Sequence, residues 1–261
     1  MKRRIFIQTL VFSSGYLLLN PELKSMHPLK DDVMIKMIYN NTGECAGLEN
    51  AWGLSVWIEQ PGETLLFDTG GDADILINNL QAANLDPGKL SKVIISHDHW
   101  DHKNGLEKIL ALTHDKPELF IVAEDEKKYR KDFPGVKITP VSGPQALNDQ
   151  VWTTGQIKGR YMLGALWEQS LLLVHDNAMV ILTGCSHPGI ITIVQRAQQV
   201  FPQKEIRLVA GGFHLKSTGK EKVQQISDTL KELGVQRIAP SHCTGGDAIE
   251  LFRSEWGDRF L

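Results

Sequence analysis

Ser96-His97-Asp98-His99-Trp100-Asp101-His102 sets three imidazoles and two carboxylates within six residues. Just before it, Lys92-Val93-Ile94-Ile95 is an apolar, β-branched run that reads as a buried strand. The polar cluster then occupies the loop leaving that strand's C-terminal end, where side chains can converge on an ion without breaking a sheet ladder. Imidazole and carboxylate suit zinc, iron or manganese. His97 and His99 lie two apart, so an extended backbone points both to one side, where they can grip one ion. Asp101 and His102 follow a bend and can grip a second. Two ions about 3.5–4 Å apart can clamp both oxygens of a displacement. The alternative is a polar loop whose histidines merely hydrogen-bond, and so dense a cluster after a buried strand speaks against it.

Asp68-Thr69-Gly70 followed by His97-Asp98-His99-Trp100-Asp101-His102 resembles the metallo-β-lactamase superfamily, whose pattern is Asp-Thr-Gly after a strand, then His-x-His-x-Asp-His. Four further stretches are similar to the subfamily of dihydropterin/β-ribofuranosylaminobenzene 5′-phosphate synthase-like metal-dependent hydrolases. They are Trp52-Gly53-Leu54-Ser55, Thr183-Gly184-Cys185-Ser186-His187-Pro188-Gly189-Ile190, Gly211-Gly212-Phe213-His214-Leu215 and Pro240-Ser241-His242-Cys243-Thr244-Gly245. The likeness runs from about residue 34 to the C-terminus. It implies an α/β fold, the αββα sandwich of two mixed sheets flanked by helices. The repeated order of strand, site residue and helix along the chain implies the same architecture.

The resemblance also implies a ligand set. His97, His99 and His187 hold one divalent ion, and Asp101, His102 and His242 the other, with zinc the first expectation and iron or manganese compatible with the same donors. Asp68 is expected to stand behind the ligands as an acceptor for a ligand histidine or a metal-bound water. Many relatives take a third histidine from the middle of the chain, but residues 135–164 contain none. Cys185 stands where many relatives have a bridging Asp, so it either bridges weakly or leaves the bridge to solvent. Lys103 replaces a small residue after the last histidine of the motif; it is either a cation beside the site or a solvated surface charge. His214 either meets substrate, protonates a leaving group, or is structural.

Length and composition set the frame. The 261 residues, 42% hydrophobic, can bury one large core or two small ones, and no linker, repeat or low-complexity tract divides them, which reads as one domain. The formal net charge is −3; residues 1–25 carry +3 of this, which leaves −6 for the rest. A mildly acidic body argues against a nucleic-acid surface, which would need a basic stripe. Three cysteines, Cys45, Cys185 and Cys243, have no disulfide-framework spacing.

Met1-Lys2-Arg3-Arg4 is a basic start to a moderately apolar run from Ile5 to Leu19, too short for a membrane span. The Arg3-Arg4 pair resembles a twin-arginine export signal, with a generic signal or an uncleaved anchor as alternatives. The expected organisation is residues 1–25 as an export segment and 26–261 as one metallo-β-lactamase-fold domain. The protein is then exported, periplasmic in a bacterium, and touches a membrane only if the segment stays uncleaved.

Hydrophobic periodicity places strands at residues 33–39, 54–59, 64–67, 119–123, 171–174, 179–182, 206–210 and 237–239. It places helices near 73–83, 106–112, 124–130, 190–200, 220–233 and 248–256. Pro188 sits where a helix can begin, so His187 emerges at a strand-to-helix junction.

The expected function is hydrolysis of a small-molecule substrate, with phosphoesters or phosphodiesters favoured. A metal-bound water has its pKa lowered to about 7, and Asp101 orients it or acts as base. The alternatives are a dihydropterin-type synthase and a metal-retaining binding protein without turnover. A β-lactamase role is weakened by the departures at Lys103 and Cys185. The substrate, the oligomeric state and any cleavage position are not written in the sequence.

Overall fold

The structure, a computed structural model, describes residues 10–13, 16–19, 33–43, 47–162 and 164–261. The chain forms two compact units, residues 1–140 and 141–261, each built on one large mixed sheet that carries helices.

In the first unit the strands are β1 (Leu10–Ser13), β2 (Tyr16–Leu19), β3 (Val33–Tyr39), β4 (Ser55–Gln60), β5 (Glu63–Phe67), β6 (Lys92–Ile94), β7 (Glu118–Val122) and β8 (Ile138–Val141). Their order in the sheet is β2-β1-β3-β4-β5-β6-β7-β8. β3, β4 and β5 run antiparallel, and β5, β6 and β7 run parallel. The strands expected at 54–59 and 64–67 therefore pair as a hairpin. β1 and β2 lie within the apolar run read as the core of an export segment, and β1 pairs with β3.

The helices of this unit are α1 (Ala73–Ala82), α2 (Trp100–Lys103), α3 (Leu106–Leu112) and α4 (Glu126–Asp132). Asp72 caps α1 by accepting from the backbone N–H groups of Asp74 and Ile75. Leu76 and Leu80 of α1 and Leu106, Ile109 and Leu110 of α3 pack with Leu66, Val93, Leu119 and Ile121 of the strands. β5, β6 and β7 are thus bound to a helical layer by alternate side chains, while the intervening Leu65, Phe67, Ile94 and Phe120 are buried as well. Burial on both faces is why these parallel strands read as continuous apolar runs.

The second unit contains β9 (Gln145–Ala146), β10 (Val151–Thr153), β11 (Ile157–Tyr161), β12 (Gly164–Glu168), β13 (Leu171–His175), β14 (Ala178–Thr183), β15 (Glu205–Gly212) and β16 (Ile238–Ser241). The large sheet has the order β16-β15-β14-β13-β10-β9, and β11 and β12 form a separate hairpin. β14, β15 and β16 are parallel. Between and after them run α5 (Ile190–Val200), α6 (Lys220–Glu232) and α7 (Gly246–Trp256). Ile193, Val194, Val223, Leu230, Phe252 and Trp256 from these helices share one core with Leu172, Ile181, Ile206 and Ile238 of the strands.

The mixed sheets flanked by helices are those expected from the sequence. Among the described residues no helix is long and apolar enough to cross a membrane.

Candidate metal centre

In the first unit three loops at the C-terminal ends of strands meet. The loop after β5 carries Asp68, the loop after β6 carries the histidine motif, and residues 52–54 lead into β4. Backbone bonds tie them: Thr69 N–H donates to the His102 carbonyl at 2.7 Å, Leu54 N–H to that of Asp101 at 3.2 Å, and Gly70 N–H to that of Leu54 at 2.9 Å. Gly53 has a φ of +143°, and a Cβ there would lie 2.5 Å from the Asp101 carbonyl oxygen. Only glycine lets the two backbones approach so closely.

The motif divides as its spacing suggests. His99 is extended and precedes the single turn of α2, which contains Asp101 and His102. His97 Nε2 and His99 Nδ1 face one another at 3.1 Å. Two imidazole nitrogens at about 2.0–2.1 Å from a tetrahedral zinc lie about 3.3 Å apart, so this pair already has the spacing of a chelate. The far nitrogen of His97, Nδ1, lies 2.8 Å from Ser96 Oγ. His102 is fully buried, and its Nδ1 lies 2.6 Å from Asp68 Oδ2. Asp68 Oδ1 accepts the Ser96 backbone N–H at 2.7 Å, and its Oδ2 accepts the Ser96 hydroxyl at 2.8 Å. One carboxylate thus fixes both the loop and the tautomer of His102, which turns Nε2 toward Asp101, with Oδ2 at 3.8 Å.

Asp101 itself accepts a 2.9 Å hydrogen bond on Oδ2 from the indole N–H of Trp52. The Trp52-Gly53-Leu54-Ser55 stretch carries no spacing signal for this role, since its partner lies 49 residues on. A buried histidine with one nitrogen held by a carboxylate, beside a second carboxylate and a facing imidazole pair, is a donor set that fits a divalent cation.

Lys103 is resolved between its two readings. Its ammonium pairs with Asp98, which also receives Lys128, and it lies 5.9 Å from the centre of the Tyr129 ring. Burial alone would raise the Asp98 carboxyl, but the two lysines hold it below its usual range. Asp125, in the same cluster, is pushed up to about 6 by burial and then by the charge of Asp98. Lys103 therefore serves an ion-pair network on α4 and the motif loop.

In the second unit the expected residues sit at the ends of the three parallel strands. Cys185 and His187 follow β14, His214 follows β15, and His242 follows β16. Cys185 and His242 are buried, His187 is half-buried and His214 is exposed. The rings of His187 and His214 lie 4.3 Å apart between centroids, and Tyr161 of the β11–β12 hairpin meets His187 edge-on at 5.4 Å.

Glu168, at the end of β12, was not anticipated. It is 1% exposed, and its two oxygens accept the backbone N–H groups of Cys185, Ser186 and His187 at 2.8, 2.8 and 2.7 Å. A buried carboxylate collecting three backbone donors pins the loop that carries His187.

Asp68, Ser186, His214 and His242 all adopt φ between +51° and +63°. Such conformations are uncommon outside glycine and cost about 1–3 kcal/mol each. They cluster where side chains must turn out of the strand direction.

Cys185 Sγ, Cys243 Sγ and a ring nitrogen of His214 lie within 4.8 Å of one another. Burial pushes the Cys243 thiol up, but hydrogen bonding with Cys185 and His214 and the charge of His242 outweigh it and hold the thiol well below its ordinary value.

Residues 53–162 match the metallo-β-lactamase superfamily. Over 271 aligned residues the chain is 27% identical to a 7,8-dihydropterin-6-methyl-4-(β-D-ribofuranosyl)-aminobenzene-5′-phosphate synthase of Methanocaldococcus jannaschii, covering 85% of this chain and 92% of that protein. Among solved structures it is similar to a metal-dependent hydrolase of the β-lactamase superfamily, with a TM-score of 0.70 and 24% identity over 87% of this chain and 94% of the other. The short form of human tRNase Z gives a TM-score of 0.56 at 15% identity, over 80% of this chain and 92% of the other. These structural likenesses concern the fold.

Proposed function

We propose that this chain, whose residues 53–162 match the metallo-β-lactamase superfamily, is a metal-dependent hydrolase acting on phosphoester or phosphodiester bonds of a small molecule. The observation that carries this reading is the buried set in the first unit. His97 and His99 present facing nitrogens, and Asp68 holds His102 beside Asp101. In this reading His97, His99 and His187 hold one divalent ion and Asp101, His102 and His242 the other, with zinc the first candidate. When bound, such ions supply Lewis acidity and lower the pKa of water to about 7.

The chain's own residues supply the rest. Asp101, oriented by the Trp52 indole N–H, accepts a proton from the attacking water. Asp68 keeps His102 in one tautomer. Glu168 holds the His187 loop through three backbone hydrogen bonds. His214, exposed beside His187, gives a proton to the leaving oxygen. No side-chain nucleophile is needed, and no covalent intermediate forms. Residues 1–25 direct export in a folded state, which would let the cytoplasm select the metal.

The test is hydrolysis of an activated phosphodiester by the protein purified without added metal, with His97→Ala and Asp101→Ala alongside. Loss of turnover in both variants is expected, and full activity in both would refute the mechanism. A second reading is favoured by the relative from Methanocaldococcus jannaschii, named as a synthase that forms a dihydropterin. It predicts the joining of a dihydropterin to an aminobenzene ribosyl phosphate. A third reading keeps the metal without turnover and rests on Cys185 in place of an Asp bridge. A substrate panel separates the three.

A further inference from the structure

Where β14, β15 and β16 end, the second unit holds a donor cluster of different chemistry from the imidazole and carboxylate set. We propose that Cys185, His214 and Cys243 form a thiophilic metal site, binding a soft or borderline ion such as zinc through two sulfurs and one imidazole; the Cys185 sulfur also lies within 4.8 Å of a His242 nitrogen. The donor atoms of the three lie within 4.8 Å of one another, close enough to close on one ion by small side-chain rotations. The two thiols are 3% and 5% exposed, whereas His214 is on the surface. An ion therefore reaches the sulfurs from the histidine's side, and the exposed ring can close over it.

The backbone beneath is shaped for this cluster. Gly212 lies under both cysteines: a Cβ there would come 2.6 Å from Cys243 Sγ and 3.3 Å from the Cys185 Cα. Any other residue would push the thiol of Cys243 away from its partners. The Cys243 S–H reaches the Cys185 carbonyl at 3.5 Å, which keeps the sulfur within the cluster, and both cysteines are free of disulfides. His214 holds a φ of +53°, a conformation uncommon outside glycine.

Three protein donors leave a fourth position open, as in two-cysteine, one-histidine catalytic zinc sites rather than closed structural ones. Thiolate donors select zinc or copper(I) over magnesium and manganese, so this site and the carboxylate set discriminate between ions. A His214 ring engaged by an ion cannot donate a proton, so filling the thiol site should inhibit turnover. That consequence rests on the hydrolase reading; the metal site does not.

Cobalt(II) is the probe, added to the full chain in a Cys45→Ser background. The expected result is a near-ultraviolet thiolate-to-cobalt charge-transfer band that disappears in both Cys185→Ser and Cys243→Ser. The band should survive His97→Ala, which damages only the other donor set. Absence of the band in the parent protein would overturn the proposal. So would a band that persists in Cys243→Ser, because it would place the thiolate on Cys185 alone. Should the serine variants fail to fold, alkylation of the parent protein decides the matter. Zinc is expected to slow labelling of Cys243, read by mass spectrometry, and equal rates with and without zinc would refute the site.

Discussion

Asp68 Oδ2 lies 2.6 Å from Nδ1 of His102 with both side chains fully buried. That contact decides which nitrogen of the ring faces Asp101. It also explains why an Asp-Thr-Gly turn, weak as a motif by itself, acquires meaning only with the histidines 29 to 34 residues further on. The carboxylate holds the Ser96 backbone and hydroxyl at the same time, so the ring and the loop are fixed together. Asp68→Asn keeps the size but removes the charge, and should lower metal affinity roughly 10–100-fold. Competition against a chelator of known affinity measures this, and unchanged affinity would remove Asp68 from the account.

Trp52 is the next positioning residue. Its indole N–H donates to Asp101 Oδ2 at 2.9 Å, and a hydrogen bond to a charged group is worth about 1.5–3 kcal/mol. Trp52→Phe should weaken metal binding on the order of tenfold or more with little loss of fold stability. Tryptophan emission should also change on metal binding in the parent protein, and that change should shrink in the variant.

Glu168 carries a stability prediction. Removing its carboxylate orphans three backbone N–H groups inside the second unit. Each buried unsatisfied donor costs about 1–3 kcal/mol, so Glu168→Ala should lose several kcal/mol in urea unfolding. Glu168→Gln retains an acceptor and should lose markedly less. Equal losses would mean that the side chain only fills space.

The Asp98 cluster gives a pH dependence. Asp125 is pushed up to about 6 in the folded protein, from an ordinary value of 3.8. The folded state therefore binds this proton more tightly than the unfolded chain. Its contribution to stability is complete below the unfolded value and is lost as the pH rises through about 6. Asp98, held low by Lys103 and Lys128, works in the opposite sense and loses its contribution as the pH falls. Asp125→Asn should thus raise the urea midpoint near neutral pH and change it little near pH 4. Partial exposure keeps the effect to about 1 kcal/mol. A midpoint difference independent of pH would contradict the assignment.

Much of this architecture is legible in the sequence because local signals agree with the fold. Ile190–Val200 is a helix at the limits its periodicity indicates, and Ala73–Ala82 ends within a residue of its expected bound. His187 lies at a strand-to-helix junction, as Pro188 suggested. Other features depend on contacts that no window of sequence contains. Glu168 meets backbone groups 17 to 19 residues away, and Trp52 meets a carboxylate 49 residues on. Neither has a spacing signature, since one partner is main chain and the other is reached only through the sheet. The single turn α2 is too short for periodicity to mark. Lys103 had two readings because its partner was unknown; Asp98, inside the motif itself, is that partner.

The most direct test of the two-metal hydrolase reading is phosphodiester hydrolysis measured before metal removal, after exhaustive chelation, and after only two equivalents of zinc are restored, with metal content determined at each stage. About two equivalents of divalent metal are expected in the active protein, with loss of turnover on chelation and recovery when the metal returns. Turnover that persists in metal-free protein would contradict that reading.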